Sequence, residues 1–285
     1  MSAVAPDEAL EEAARLAREQ APALCRRDAA TGTSCDWHHG LWPTLRLLGL
    51  ATAPALHGGF LRTALAGVAG ERPRVLLSGA ADHALLAQAL AAFGARRPEI
   101  TVLDICDTPL ALNRWYAERL GTSVDTRRAD ILEFEAAQPF DAICTHAFLG
   151  NFDTAQRVAL AAKWHALLRP GGKVVTVNRL RPGFEAQWIA FSVEQVWAYR
   201  ARVEDAAKER ALQLPRLGQA AEAYASRQSV FPLGSATQLR SLFEGTGFHI
   251  EQLSVATLPA AVRQQVSAPT VPGGDSYAQL IAVRR

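Results

Sequence analysis

The sequence predicts an α/β fold, a mostly parallel sheet with helices on both faces, and three observations carry that prediction. Short runs of Val, Leu and Ile bounded by Gly, Asp or Pro recur across residues 74–178, the pattern of strands buried on both faces of a parallel sheet. Between them lie helical patterns long enough for the right-handed crossovers that parallel strands require. An acid, Asp104, closes the second run, at the carboxyl rim where open α/β sheets bind their ligands.

In chain order, residues 1–70 precede the sheet and are expected to form an N-terminal helical lid. Asp7–Glu19 sets Ala and Leu at helical spacing with charges between, as in an amphipathic cover helix. The segment CDWHHGLWPTLRLLGL then crowds Trp37, His38, His39 and Trp42 into six residues. Indole and imidazole want apolar contact and a polar partner together, so these four are candidates to line a pocket, the alternative being aromatic packing alone. His57, in PALHGGF, reads as a loop residue.

The expected strands are Arg74–Leu77, Ile100–Leu103, a short Val124–Thr126, Asp141–Cys144 and Lys173–Val177, with helices at Ala84–Phe93, Pro109–Leu120 and Thr154–Leu168. That arrangement puts Ser78–Asp82, Asp104–Cys106, Ala129–Ile131 and Thr145–Phe148 on one rim. In LLRPGGKVVTVN, Pro-Gly-Gly should break the helix and supply positive φ before the fifth strand. A helical insert at about 181–233 contains FSVEQVWAYRARVEDAAKERA, expected as a long helix above the rim. Phe184, Trp188 and Phe191 could line the pocket from there or serve as core. ATQLRSLFEGTGF then reads as a helix, and HIEQLSV and SYAQLIAVRR as strands.

From about residue 70 to 285 these segments resemble a class I S-adenosylmethionine-dependent methyltransferase, LLRPGGKVVTVN being the most specific piece. The resemblance implies a Rossmann-like, seven-stranded, mostly parallel sheet whose last strand inserts antiparallel, a domain over 71–285, and S-adenosylmethionine as cofactor. Carried over residue by residue, it makes Asp104 the acid that accepts from both ribose hydroxyls, which needs two acceptor oxygens. Asp130 would meet the adenine amino group, Ala129 and Ile131 would pack on the ring, and Ile105 would press on its other face. Gly79, Ala80 and Ala81 form the turn after the first strand, and Thr145 and His146 would adjoin the methionine part. The turn departs from the family: where an acid and Gly-x-Gly-x-Gly are usual, this chain has Leu77, Gly79, Ala81 and His83. Ala81 makes positive φ costly there. Asp82 or His83 could replace the missing acid, or Asp82 could only cap the next helix.

The resemblance also directs attention to the acceptor. THAFLGNFD would point at the transferred methyl, with Phe148, Asn151 and Phe152 bounding the acceptor, and the amide of Asn151 serving either acceptor binding or helix capping. Trp37, Trp42 and Trp188 are the other candidates for substrate binding. The expected reaction is in-line methyl transfer to the O, N, S or C of a small molecule in a lidded pocket, driven by orientation and desolvation. His38, His39 or His146 would act as base where the acceptor is protonated. The alternative outcome is transfer or cyclisation of the aminocarboxypropyl group, releasing methylthioadenosine.

Composition narrows the classes further. With 285 residues, 49% hydrophobic and 20% charged, the chain can bury a full core. A formal net charge of +2 argues against a nucleic-acid partner. No stretch of roughly 18 apolar residues occurs, and the acidic, helical start is unlike a basic signal region, so a cytoplasmic protein with no membrane partner is expected. The exposed face of the N-terminal helices could close a homodimer or only the pocket. The absence of Gly-x-Gly-x-x-Gly at Gly79 opposes a nicotinamide dehydrogenase. Cys25, Cys35, Cys106 and Cys144 have no Cys-x-x-Cys spacing, so reduced thiols and no metal site are expected.

Overall fold

The computed structural model describes residues 6–27, 32–51, 53–184, 188–258, 268, 269, 274 and 276–285. The remaining positions of the predicted lid, of the insert and of the approach to the last strand lie outside the described residues. In chain order the helices are α1 (Pro6–Leu24), α2 (Asp36–His39), α3 (Trp42–Leu47), α4 (Gly58–Ala66), α5 (Ala84–Phe93), α6 (Asp107–Arg119), α7 (Thr154–Leu167), α8 (Val193–Glu209), α9 (Leu217–Arg227) and α10 (Ala236–Gly245). The strands are β1 (Arg74–Ser78), β2 (Glu99–Asp104), β3 (Asp125–Arg128), β4 (Phe140–His146), β5 (Leu168–Arg179), β6 (Ile189–Ala190), β7 (Ser229–Val230), β8 (Phe248–Thr257) and β9 (Ser276–Arg284).

Seven strands form one sheet in the order β3-β2-β1-β4-β5-β9-β8. β1 to β5 pair in parallel, and β9 inserts antiparallel between β5 and β8. β6 and β7 make a small separate pair. The reversal from β1 to β4 opens the crevice that a doubly wound sheet offers to ligands.

Alternation along the strands explains the layering. In β1, Val75 and Leu77 face one side and Leu76 the other, and all three are fully buried, as expected when both faces are covered. On one side Val75, Leu77, Val102, Ala142 and Val175 pack with Leu61 and Leu65 of α4, Leu86 of α5 and Leu110 of α6. On the other, Leu76, Leu103, Ile143, Val174 and Leu280 pack with Leu160 and Trp164 of α7 and Phe243 of α10. A third cluster joins Leu41 and Leu45 of the N-terminal segment to Tyr199 and Val203 of α8 and Ala221 and Tyr224 of α9. The two additions to the sheet domain thus share a core with each other.

Several local expectations shift. α6 starts at Asp107 rather than Pro109, because a proline in the first helical turn forfeits no intrahelical hydrogen bond. β3 moves to Asp125–Arg128, where it pairs with Thr101–Asp104. The Pro-Gly-Gly segment is a bulge rather than a turn ahead of the strand: Leu168 already pairs with Phe140, and pairing resumes at Ala142 with Lys173. Gly171 takes φ +75° there. His57 closes a 3-10 turn, Pro54–His57, and is buried rather than a surface loop residue. α7 is capped by Asp153 and Gln156 in a reciprocal capping box, so Asn151 is not its cap.

Candidate functional site

A cavity of about 590 Å³ lies over the carboxyl ends of β1, β2 and β4. Its sheet-side wall collects the residues carried over for the cofactor. The turn Gly79-Ala80-Ala81 lines it with Asp104, Ile105, Ala129, Asp130 and Ile131. Asp104 ends β2 with each carboxylate oxygen held by one backbone amide, Oδ2 by Ala80 N at 3.0 Å and Oδ1 by Cys106 N at 2.9 Å. Each oxygen keeps further acceptor capacity. Burial raises the Asp104 pKa, opposed by His39 and these two amides. Ile105 beside it is 54% exposed, an apolar side chain presented to the cavity. Asp130 is exposed and folds one oxygen, Oδ1, onto the amide of Leu132 at 2.9 Å.

The turn is built without the missing glycines. Gly79 takes φ +77° and packs under the ring of Phe148, where any Cβ would collide. Ala81 is not among the residues of positive φ, so the turn avoids the conformation that alanine disfavours. Asp82 accepts from Ala84 N at 2.8 Å at the start of α5, forms a buried ion pair with Arg46 of α3 and lines the cavity. That ion pair and the backbone bond outweigh burial and hold its carboxyl below the usual range. His83 turns away, against Tyr116 with ring centroids 4.6 Å apart.

The wall at the end of β4 contains His146, Phe148, Asn151 and Phe152. Ala147 between them holds φ 53°, a conformation that costs a non-glycine residue of order 1 kcal/mol and concentrates at functional sites. Thr145 is fully buried and does not line the cavity: side chains alternate along a strand, and His146 takes the open position.

Trp37, His38, His39 and Trp42 all line the roof. His38 is stacked between Trp42 and Tyr224, with centroid distances of 5.3 and 5.6 Å. Burial lowers the pKa of His38 to about 3, and burial with the neighbouring His57 and Arg46 lowers that of His146 to about 3. Neither titrates near neutrality, contrary to the expectation from sequence, because both leave water on folding. For His39 burial acts downward, but the thiols of Cys106 and Cys35 outweigh it and raise the pKa to about 10. Trp188 stands apart: it is 49% exposed, packs edge-on to Phe231 and does not line the cavity.

Sequence reasoning missed Tyr224 and Gln228 of the insert, Arg181 after β5 and Tyr277 of β9, all of which line the cavity. Arg181 is buried, and its Nε has no partner among the described residues. No local signal marks these residues, since each reaches the cavity only through long-range packing.

Known proteins share this fold. A family described as a methyltransferase domain matches residues 78–172. No curated protein matches the chain. Among solved structures, the fold is similar to that of a geranyl diphosphate methyltransferase in complex with S-adenosylmethionine, with 14% identity, 80% of this chain and 84% of that one covered, and a TM-score of 0.52. It is also similar to N-methyltransferase NodS from Bradyrhizobium japonicum WM9 in complex with S-adenosylhomocysteine, with 15% identity, 80% and 85% covered, and a TM-score of 0.50. Residues 78–172 thus match a methyltransferase domain, and the sheet that holds them has the Rossmann-like α/β fold of these methyltransferase structures.

Proposed function

We propose that this protein transfers a methyl group from S-adenosylmethionine to a small-molecule acceptor held between the sheet rim and the aromatic roof. The observation that carries the reading is the continuity of one cavity from Asp104 and Asp130 to Trp37, Trp42 and Tyr224. Its volume, about 590 Å³, suits small ligands. The residues present fit the cofactor: a carboxylate with acceptor capacity to spare, an exposed isoleucine beside it and an exposed acid across the rim.

S-adenosylmethionine supplies a methyl group on a sulfonium, whose charge disperses as an in-line displacement proceeds. The protein contributes orientation and exclusion of water. Phe148, Asn151 and Phe152 bound the acceptor beside the turn, and Trp37 and Trp42 close it from above, with His38 stacked neutral among them. His146 presents an Nε2 with no partner among the described residues. Neutral at pH 7, it accepts a proton late, when the nucleophile becomes strongly acidic on alkylation, so a weak base suffices. His39 is held by the neighbouring thiols and orients the roof. Arg181 offers a buried cation to an acceptor bearing an anionic group.

The test is calorimetric titration of S-adenosylmethionine into wild type and Asp104→Ala, followed by mass analysis of the spent cofactor. Two charge-assisted hydrogen bonds of ~1.5–3 kcal/mol each should vanish, weakening binding at least ~100-fold. S-adenosylhomocysteine as product supports methyl transfer. Methylthioadenosine would instead assign aminocarboxypropyl chemistry, and equal binding by both proteins would remove Asp104 from the site.

A further inference from the structure

Where the N-terminal segment meets the sheet rim, four side chains from separate elements converge. Cys25 follows α1, Cys35 precedes α2, His39 ends α2, and Cys106 lies between β2 and α6. Cys25 Sγ is 3.6 Å from His39 Nδ1 and 3.6 Å from Cys106 Sγ, which is itself 3.6 Å from Cys35 Sγ. All four ligand atoms fall within 4.8 Å of one another. An antiparallel bridge between Arg27 and Ser34 brings the two N-terminal cysteines together.

These distances match a known polyhedron. Tetrahedral zinc holds sulfur at ~2.3 Å and nitrogen at ~2.0–2.1 Å, so its ligand atoms stand ~3.5–3.8 Å apart. A disulfide needs sulfurs at ~2.05 Å and would use only two of the three thiols; all three are free. The donor chemistry agrees, since three thiols and an imidazole select zinc over magnesium or calcium. Support from the next layer is present too: Thr108 Oγ1 lies 3.2 Å from Cys25 Sγ, where its hydroxyl can donate to a thiolate, the kind of contact that orients metal ligands.

We propose that Cys25, Cys35, His39 and Cys106 bind one zinc ion that fastens the N-terminal segment to the cofactor rim. With four protein ligands the site is closed and structural, leaving no position for substrate or water. Its place gives it a second effect. Cys106 donates its backbone N–H to Asp104, and His39 lines the roof, so one ion steadies both the ribose-binding acid and the cover above it. The proposal goes beyond the transfer reaction and is read out by metal content alone.

The experiment is elemental analysis of the full chain purified under reducing conditions from zinc-supplemented medium, compared with Cys35→Ser, Cys106→Ser and Cys144→Ser. Wild type and Cys144→Ser, whose thiol lies outside the cluster, should carry one zinc per chain, and the other two variants should lose most of it. Should those variants fail to fold, wild type decides. Titrating its thiols with a mercurial should release one zinc per chain to a chromophoric chelator, and cobalt substitution should produce the sulfur-to-metal charge-transfer and d–d bands of a tetrahedral thiolate site. Metal-free wild type that binds neither added zinc nor added cobalt, or a disulfide within the cluster in freshly prepared metal-free protein, overturns the proposal.

Discussion

On the sheet side of the cavity, the groups that face the ligand space stand at strand ends and remain partly hydrated: Ile105 is 54% exposed, and Asp130 is open to solvent. On the roof side, the rings have already left water. His38 is enclosed by Trp42 and Tyr224, and its pKa falls to about 3. The first wall is prepared to exchange water for hydroxyls and an aromatic ring. The second is dry before any ligand arrives, and it holds the His38 imidazole neutral. Under the proposed function, this difference would let one cavity recognise a polar cofactor on one face and exclude water from the reacting atoms on the other.

The largest test of this contrast is acid titration. Burial is the leading cause that lowers the pKa of His57 and His83 to about 4 and of His146 to about 3. In the unfolded chain a histidine titrates near ~6.5. Between those values the unfolded state binds more protons, so stability rises with pH there and is lost as pH falls from ~6.5 toward ~4. Denaturant midpoints at about pH 7.5 and about pH 5 should differ by ~3 kcal/mol or more once converted. A stability unchanged over that range would mean that these imidazoles stay hydrated in the folded protein.

Next in size is Gly79→Ala. The new Cβ would meet the Phe148 ring, and φ +77° would strain the backbone by ~1–3 kcal/mol. Melting temperature should fall and cofactor affinity with it. Adding Phe148→Ala should return only the steric part, and full recovery would show that φ at Gly79 is not the constraint. A smaller effect is expected for Ile105→Ala. Because Ile105 is 54% exposed, its removal should leave stability within ~0.5 kcal/mol. Cofactor affinity should drop roughly five- to tenfold, as about 1 kcal/mol of apolar contact with the ring is lost. Equal losses in stability and affinity would count against a solvent-facing platform. The smallest effect belongs to Trp188→Ala, outside the cavity: turnover should be unchanged, and a marked loss of kcat would place its ring against the acceptor.

The parallel core was legible because each strand carries its own signal. Val75–Leu77 and Ala142–Cys144 are short apolar runs that only a sheet covered on both faces can bury. Asp104 was legible for a related reason, since the end of an apolar run locates the rim. Trp188 shows the limit of such reading: an aromatic residue in an insert announces burial or binding equally well, and in the fold this ring stays half-exposed against Phe231, outside the cavity. Thr145 and His146 show another, because one step along a strand moves a side chain to the opposite face. The Pro-Gly-Gly bulge escaped because the pairing of Leu168 with Phe140 is a contact between strands, invisible within either one.

Local patterning was thus enough for the α/β class, the strand sequence and the acid of the rim, since apolar periodicity and turn chemistry act over a few residues. Assembly in three dimensions alone decided the rest. Tyr224 reaches His38 across the shared core of the two additions, Arg46 pairs with Asp82, and Cys25 meets Cys106 across 81 positions of chain. Burial and charge then set the protonation of the histidines, and both depend on neighbours that the chain brings together only when it folds.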